Sequence, residues 1–578
     1  MSSPTPATSE RPASEEIEER TGKGGVAPAV FYPALAIIGL AALLAIVFPG
    51  PTGDALSAIQ TNIVGAFGWY YVLIVAGFVA FSIWMGVSRF GDIKLGRDED
   101  EPEFGVMAWF AMLFAAGMGI GLVFWGAAEP LTFYDQPKPG VEGSPDELAQ
   151  LAMAQTFLHW GFHAWAIYVV VGLALAYAIH RKGRPVSIRW VLEPILGDRV
   201  RGRIGDVIDI AAVIGTVFGI ATSLGLGVQQ ISAGLVHMGV FDSAGDALLV
   251  GLIAIITLLA TVSVATGLDK GIRWLSNVNL VMAGVFLVAI LALGPTLFLL
   301  REFVQSVGVY LQNVLPMTFN TSAFSGQEGQ DWQAAWTTFY WGWWISWSPF
   351  VGVFIARISR GRTIREFVAG VLLVPTLMTF VWFAVLGGGA ILREMSSPGS
   401  LVDPQEGVVS ENVLFDFLSG LPLGPVLSVI AILLVTIFFI TSSDSGSLVI
   451  DMLASGGDPD PPTWSRVMWA ILEGVLAIAL LLAGGLAALQ TGAIITALPF
   501  SAIMIAMCFA TYKALSAEHK VLLRAERRQR RTELTRDVRQ DVRGDLTENF
   551  GEHFGEQVDE RIDERLSDAL DGGAYSKR

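Results

Sequence analysis

The sequence predicts an all-α protein that crosses a membrane about twelve times, and three observations carry that reading. Of 578 residues, 53% are hydrophobic and only 16% charged, with a mean hydropathy of +0.56. Apolar runs of twenty or more residues recur along most of the chain, the length a helix needs to span a bilayer. The charge is also segregated. The formal net charge of −16 reflects two acidic tails, whereas the loops flanking the apolar runs are basic. A single cysteine, Cys508, excludes internal disulfides and any cysteine-based metal cluster.

Residues 1–26 are rich in Pro, Ser and Glu, carry the acidic run Glu15, Glu16, Glu18 and Glu19, and are expected to be disordered. No basic stretch precedes a short apolar core, so no cleavable signal is expected. The spans fall at 28–49, 64–87, 105–128, 150–180, 207–236, 246–266, 274–300, 332–357, 364–390, 424–447, 464–487 and 490–512. Residues 301–318 alternate apolar and polar at helical spacing and read as an amphipathic helix lying on the surface. A membrane domain, 27–513, thus precedes a helical tail, 514–578. In that tail a basic patch, Arg524, Arg527, Arg528, Arg530 and Arg531, suits anionic lipid, and an acidic heptad-like stretch follows it.

The positive-inside rule sets the expected orientation. With a cytoplasmic N-terminus, inner loops hold Arg89, Lys94, Arg97, Arg181, Arg184, Arg199, Arg203, Arg360 and Arg362 among others. The outer connections hold only Lys138, Arg301 and Arg393. Both ends are therefore expected inside.

Several stretches are more than apolar filler. In the third span, Ala115-Ala-Gly-Met-Gly-Ile-Gly121 places three glycines at alternate positions, each costing a helix about 1 kcal/mol relative to Ala. They serve either close helix packing or an unwound segment whose amides face an anion and whose carbonyls face a cation. Their density favours the second. In the fourth span, Trp160, Trp165 and Tyr168 fall at about 0°, 140° and 80° around an ideal helix, forming one broad aromatic face. His159 and His163 have metal-ligand spacing, but no carboxylate or cysteine accompanies them in the segment, so no metal is expected.

In the eighth span, Tyr340, Trp343, Trp344 and Trp347 share one helix face. Pro349 removes a donor and deprives the Ile345 carbonyl of its helical partner. An aromatic wall beside free backbone suits a quaternary ammonium; a Trp-rich packing face or interfacial belt is the alternative. Thr216, Thr222 and Ser223 in the fifth span either bond back to their own helix or offer oxygens. The tenth span ends in Thr441-Ser-Ser-Asp-Ser-Gly446, where hydroxyls and free carbonyls would suit a small alkali cation. Glu473, about ten residues into the eleventh span, is a charge in an expensive place.

Four motifs appear in order: GMGIGLVFWGAAEP at 117–130, HW…W..Y at 159–168, YWGWWISWSPFVGVFIARISRGR at 340–362 and FFITSSDS at 438–445. On these, the chain resembles the betaine/choline/carnitine transporter (BCCT) family, nearest its sodium-coupled betaine branch, from about 28 to 512. The resemblance implies a LeuT-like core of two inverted five-helix repeats, about 105–300 and 332–512, with two extra N-terminal helices. It also implies alternating access and a homotrimer in a bacterial plasma membrane. The aromatic substrate box it implies is Trp160, Trp165, Tyr168 and Trp344; Trp347, Met118 and the backbone at Gly117, Gly119 and Gly121 complete the expected substrate site. Trp343 and Phe354, together with Trp347, would border the cytoplasmic pathway. One implied sodium site comprises Ala115, Met118 and Phe438 through their backbone, with Thr441 and Ser442; a second comprises Thr216 and Phe350. Two departures stand out: Ile220 replaces a threonine of the second site, and the tail turns acidic where osmosensing relatives are basic.

The function expected is sodium-coupled symport of a compatible solute such as glycine betaine, ectoine or proline for osmoprotection. Sodium is the coupling ion, and no other cofactor is expected. A methylated zwitterion satisfies both halves of the site, rings for its cation and amides for its carboxylate. Gly121 speaks against choline, which would want an acid there. A proton-coupled or exchanging carrier of choline or carnitine is the alternative, opposed by the retained hydroxyls. A channel or sensor is opposed by paired broken helices and an enclosed aromatic box. No nucleophile–base constellation supports an enzyme, and nothing suggests nucleic acid.

Overall fold

A computed structural model describes residues 12–21, 25–117, 119–266, 269–550 and 552–572. Its helices, in chain order, are α1 (Ala13–Thr21), α2 (Pro28–Val47), α3 (Pro49–Val87), α4 (Val106–Gly117), α5 (Ile120–Asp135), α6 (Pro145–Trp160), α7 (Phe162–Ala176) and α8 (Arg203–His237). Then come α9 (Asp246–Thr266), α10 (Asp269–Leu293), α11 (Thr296–Thr318), α12 (Phe339–Arg357), α13 (Ile364–Ser396), α14 (Gly424–Ala454), α15 (Thr463–Phe550) and α16 (Glu552–Gly572), with shorter helical pieces between. Two isolated bridges, Lys94 with Thr363 and Asp403 with Gly407, extend to no strand among the described residues.

Local chemistry fixes the starts. Pro28, Pro49 and Pro145 sit in first turns, where a missing N–H costs nothing. Ser144 caps α6 by accepting from the Glu147 amide, while the Glu147 carboxylate accepts from the Ser144 amide at 2.8 Å. Thr363 and Glu366 do the same for α13.

Burial then sorts the helices into an inner and an outer set. The most apolar stretch of Pro145–Arg181 is 89% buried and that of α8 78%, against 33% in α2 and α3 and 22% in α9. Leu40, Leu73, Leu258 and Val285, all on outer helices, are exposed. An apolar outer surface around a filled interior suits lipid tails as the solvent. Within the inner set α7 packs on α12, α8 on α14 and α5 on α13.

Among the described residues nine helices are long and apolar enough to cross a membrane, or ten if the bent pair α4 and α5 forms one span. The difference from twelve has identifiable sources. The tyrosine, tryptophans and serines of α12 keep it below that hydropathy, and α15 joins two expected spans across a kink at Gly484 and Gly485. The segment expected as a surface helix at 301–318 lies within α11, which begins at Thr296 and packs against α6 and α13.

The tail 1–26 differs from expectation, because Ala13–Thr21 is a helix with defined partners. Glu16 is buried against the Arg201 guanidinium at 2.7 Å, and Arg20 pairs with Asp206 at 3.4 Å. Complementary charges at Arg201, just before α8, and at Asp206, in its first turn, supply the order that composition alone did not reveal.

The start of α4 is latched to the end of α12. Trp109 donates its indole N–H to Ser359 at 3.1 Å, and the Arg362 guanidinium lies 4.7 Å over its ring. Arg362 also donates to the Phe104 carbonyl at 2.7 Å.

By internal packing the chain divides into two units, 1–512 and 513–578. In the second, Arg539 forms an ion pair with Asp563.

Candidate functional site

Two helix breaks shape the centre. The first separates α4 from α5, whose axes differ by 67°, with Gly119 in an extended conformation. Met118 lies outside the described residues, as do side-chain details at Ala116 and Gly117. A Cβ on Gly121 would stand 2.6 Å from the Trp343 ring and 3.0 Å from that of Trp160, so only glycine lets both indoles touch the backbone.

The second break, at Gly161, was not anticipated. A Cβ there would meet the Phe157 carbonyl at 2.5 Å and the Phe380 ring at 2.7 Å. Trp160 therefore ends α6, while Trp165 and Tyr168 belong to α7. The single ideal helix assumed for these three residues is corrected accordingly.

The α12 helix behaves in the opposite way and runs unbroken through Pro349. The carbonyl that proline orphans is satisfied, since the Ser348 hydroxyl donates to the Ile345 carbonyl at 2.7 Å. The expected free backbone is thus absent at this point. What α12 does provide is its ring face. Trp343 and Trp344 stack at 4.5 Å, and Trp160 meets Trp344 edge-on at 4.9 Å. Tyr168 lies 5.3 Å from Trp165 and 6.4 Å from Trp344.

Trp160, Trp165, Tyr168, Trp343, Trp344 and Trp347, with Gly119 and Gly121, wall a cavity of about 20 Å³. That holds roughly one water. Trp343, expected along the pathway, is part of this wall. The Trp344 indole is fixed by donating to the His159 carbonyl at 2.9 Å. The Tyr168 hydroxyl and the indole N–H groups of Trp343 and Trp347 are buried without partners among the described residues. Such groups carry a desolvation cost that a bound acceptor would relieve.

Behind the rings lies a residue to which sequence reasoning gave no role. Glu129, fully buried on α5, binds the Trp160 indole N–H at 2.6 Å, the Tyr340 hydroxyl and His159 Nδ1 at 2.7 Å. The available signal was a lone carboxylate within an apolar span. His163 instead pairs with Thr318 at 2.8 Å, so the two histidines share no ligand position. Among the described residues no group of three His, Cys, Asp or Glu could hold a metal.

A second cavity, about 150 Å³, adjoins the first at Trp347. It is lined by Ala115, Phe438, Thr441, Ser442 and Ser445, with Phe350, Phe354, Ser276 and Asn279. Of the residues expected to hold sodium, Ala115, Phe438, Thr441, Ser442 and Phe350 thus come together, while Thr216 is not among those lining it. The α14 helix continues to Ala454 rather than ending at Gly446, so the carbonyls near Phe438 stay within a helix. Thr441 donates to the Ile437 carbonyl at 2.8 Å, which leaves its oxygen lone pairs available. Asn279, also not foreseen, is 1% exposed, and neither atom of its amide has a partner among the described residues.

The fifth-span hydroxyls bond back to backbone carbonyls, as Thr441 does. Thr216 donates to Ala212 at 2.7 Å, Thr222 to Phe218 and to Leu489 at 2.9 Å, and Ser223 to Gly219 at 3.3 Å. Ile220 packs against Gly446, where a Cβ would meet it at 2.4 Å. Glu473 is buried and accepts from Ser443 at 3.1 Å.

With this geometry in view, the sequence was compared with known proteins. A profile described as BCCT, betaine/carnitine/choline family transporter, matches residues 29–520. An uncharacterized transporter of Mycobacterium tuberculosis is 51% identical over 496 residues, 85% of this chain and 82% of that protein. A glycine betaine transporter of Bacillus subtilis is 44% identical over 498 residues, 86% of this chain and 96% of its own. One from Vibrio parahaemolyticus is 44% identical over 501 residues, covering 85% and 94%.

Proposed function

This chain belongs to the betaine/carnitine/choline family of transporters, and from that premise we propose that it imports a methylated zwitterion such as glycine betaine by sodium symport. It is a multi-pass membrane transporter, not an enzyme. The observation that carries the solute class is the enclosure of one cavity by six aromatic rings. Each ring that faces a quaternary ammonium contributes about 0.5–2 kcal/mol. The unpartnered Tyr168, Trp343 and Trp347 donors suit the carboxylate of the same solute. Two relatives named as glycine betaine transporters support this class. Ectoine and proline remain members of the solute panel to be tested.

Sodium is assigned to the hydroxyl-lined cavity, with Thr441 and Ser442 as side-chain ligands and Ala115, Met118 and Phe438 as backbone ligands. An ion there would tie α4 to α14. Its affinity must differ between the two access states, since an ion that binds both equally couples nothing. Inverted repeats, a homotrimer and cytoplasmic termini belong to the same reading.

The test is uptake of labelled glycine betaine into proteoliposomes with and without a sodium gradient, competed by a panel of zwitterions and by choline and carnitine. Saturable, sodium-dependent uptake competed by betaines is expected. Full uptake in sodium-free buffer overturns the symport reading, and preferential competition by choline or carnitine overturns the solute.

A further inference from the structure

We propose that Glu129 is a positioning and specificity-determining residue: its buried carboxylate orients the Trp160 and Tyr340 rings and enriches them in electron density toward a quaternary ammonium. This rests on the solute class argued above. Trp160 Nε1 is only ever a donor, and it lies 2.6 Å from Oε2, the oxygen that Tyr340 also binds. His159 Nδ1 lies 2.7 Å from Oε1, while its Nε2 faces the Gln155 amide nitrogen at 3.0 Å and the Thr337 hydroxyl at 3.1 Å. When Gln155 donates to Nε2, His159 is a neutral imidazole whose Nδ1–H points at Glu129. The carboxylate then receives three hydrogen bonds, and among the described residues no Lys or Arg forms an ion pair with it.

In its ionised form the group is balanced by these dipoles rather than cancelled by a cation. Bonds to an ionised acceptor are the stronger kind, and in a low-dielectric interior they polarise their donors. An indole that gives its N–H to an anion gains electron density over its ring, which is the face a cation meets. Trp160 carries that effect to the cavity wall, because its ring lines the box and touches Trp344. Tyr340, 5.7 Å from Trp344 and tilted to it, extends the same layer.

The test separates charge from shape with two ligands of nearly equal size: glycine betaine, and 3,3-dimethylbutanoate, which has a tert-butyl group in place of the trimethylammonium. Dissociation constants are measured on the purified full-length protein for the wild type, Glu129→Gln and Glu129→Asp. In Glu129→Gln, betaine binding weakens about threefold to tenfold while the neutral isostere changes less than about twofold. In Glu129→Asp, which retains the charge and loses the fit, the preference for betaine over the isostere is kept even where both bind more weakly. Equal loss of both ligands in the Gln variant, no change in either, or loss of the preference in the Asp variant overturns the proposal. If the Gln variant does not reach the membrane, loss of the preference in the Asp variant still overturns the proposal. A wild type that fails to prefer betaine overturns instead the reading of the box as a cation site.

Discussion

The two cavities that meet at Trp347 are built on opposite principles. One is walled by planar rings and encloses about 20 Å³; the other is lined partly by hydroxyls and an amide and encloses about 150 Å³. Rings satisfy one another edge to face, so a box of them closes when nothing holds it apart. Hydroxyls already bonded to their own helix still present lone pairs, so a cavity lined by them keeps its polar function without collapsing. On the proposed assignment, a solute must open its site, whereas an ion finds one already formed.

The ring box should fail most completely. Trp344→Ala or Trp165→Ala is expected to weaken solute binding by about thirtyfold or more, with the protein still reaching the membrane. Uptake kinetics alongside membrane abundance check this, and an unchanged affinity in either variant breaks the contrast. Thr441→Ala should raise the sodium concentration for half-maximal uptake by about tenfold, yet leave solute affinity at saturating sodium near wild type. A matching loss of solute affinity would mean that the cavities act as one.

Asn279 sharpens the comparison from the other side. Its buried amide lacks partners, and an apolar group of similar shape removes that cost. Asn279→Leu should stabilise the sodium-free protein by about 1 kcal/mol, read as a raised Tm, while raising the sodium requirement about threefold. The smallest effect belongs to Thr216→Ala, less than about twofold on the same requirement, because Ile220 leaves that second site short of a hydroxyl. A sodium Hill coefficient near one is expected, and a value of two would restore the second site.

What the sequence revealed was periodic, and what it hid was tertiary. The shared face of Tyr340, Trp343, Trp344 and Trp347 is a matter of helical spacing, and the rings do stand together. The glycine run at 117–121 marked a break because glycine weakens any helix that contains it. Gly161 stood as a single glycine rather than a run, and its necessity comes from the Phe157 carbonyl one turn back together with Phe380 on another helix. Pro349 misled for a related reason: a neighbouring serine repaired the backbone that proline had opened. Glu129 stood alone at the end of an apolar run and Asn279 beside Ser276 and Asn277, and only packing revealed which groups surround them. The order in Ala13–Thr21 likewise depends on Arg201 and Asp206, far along the chain.

The latch at Trp109 turns the glycine break into a hinge whose handle is held. Trp109 lies eight residues from Gly117, an arm of about 12 Å along α4. A tilt of about 10° at the break would carry that end through about 2 Å, enough to part the 3.1 Å indole–hydroxyl bond to Ser359. Small tilts are therefore resisted and larger ones released. Motion of α4 about its cavity-facing end, where Ala115 lines the larger cavity, is thus held against small excursions, and single-molecule distance traces between positions 109 and 359 are expected to dwell at the latched value and leave it only in discrete events.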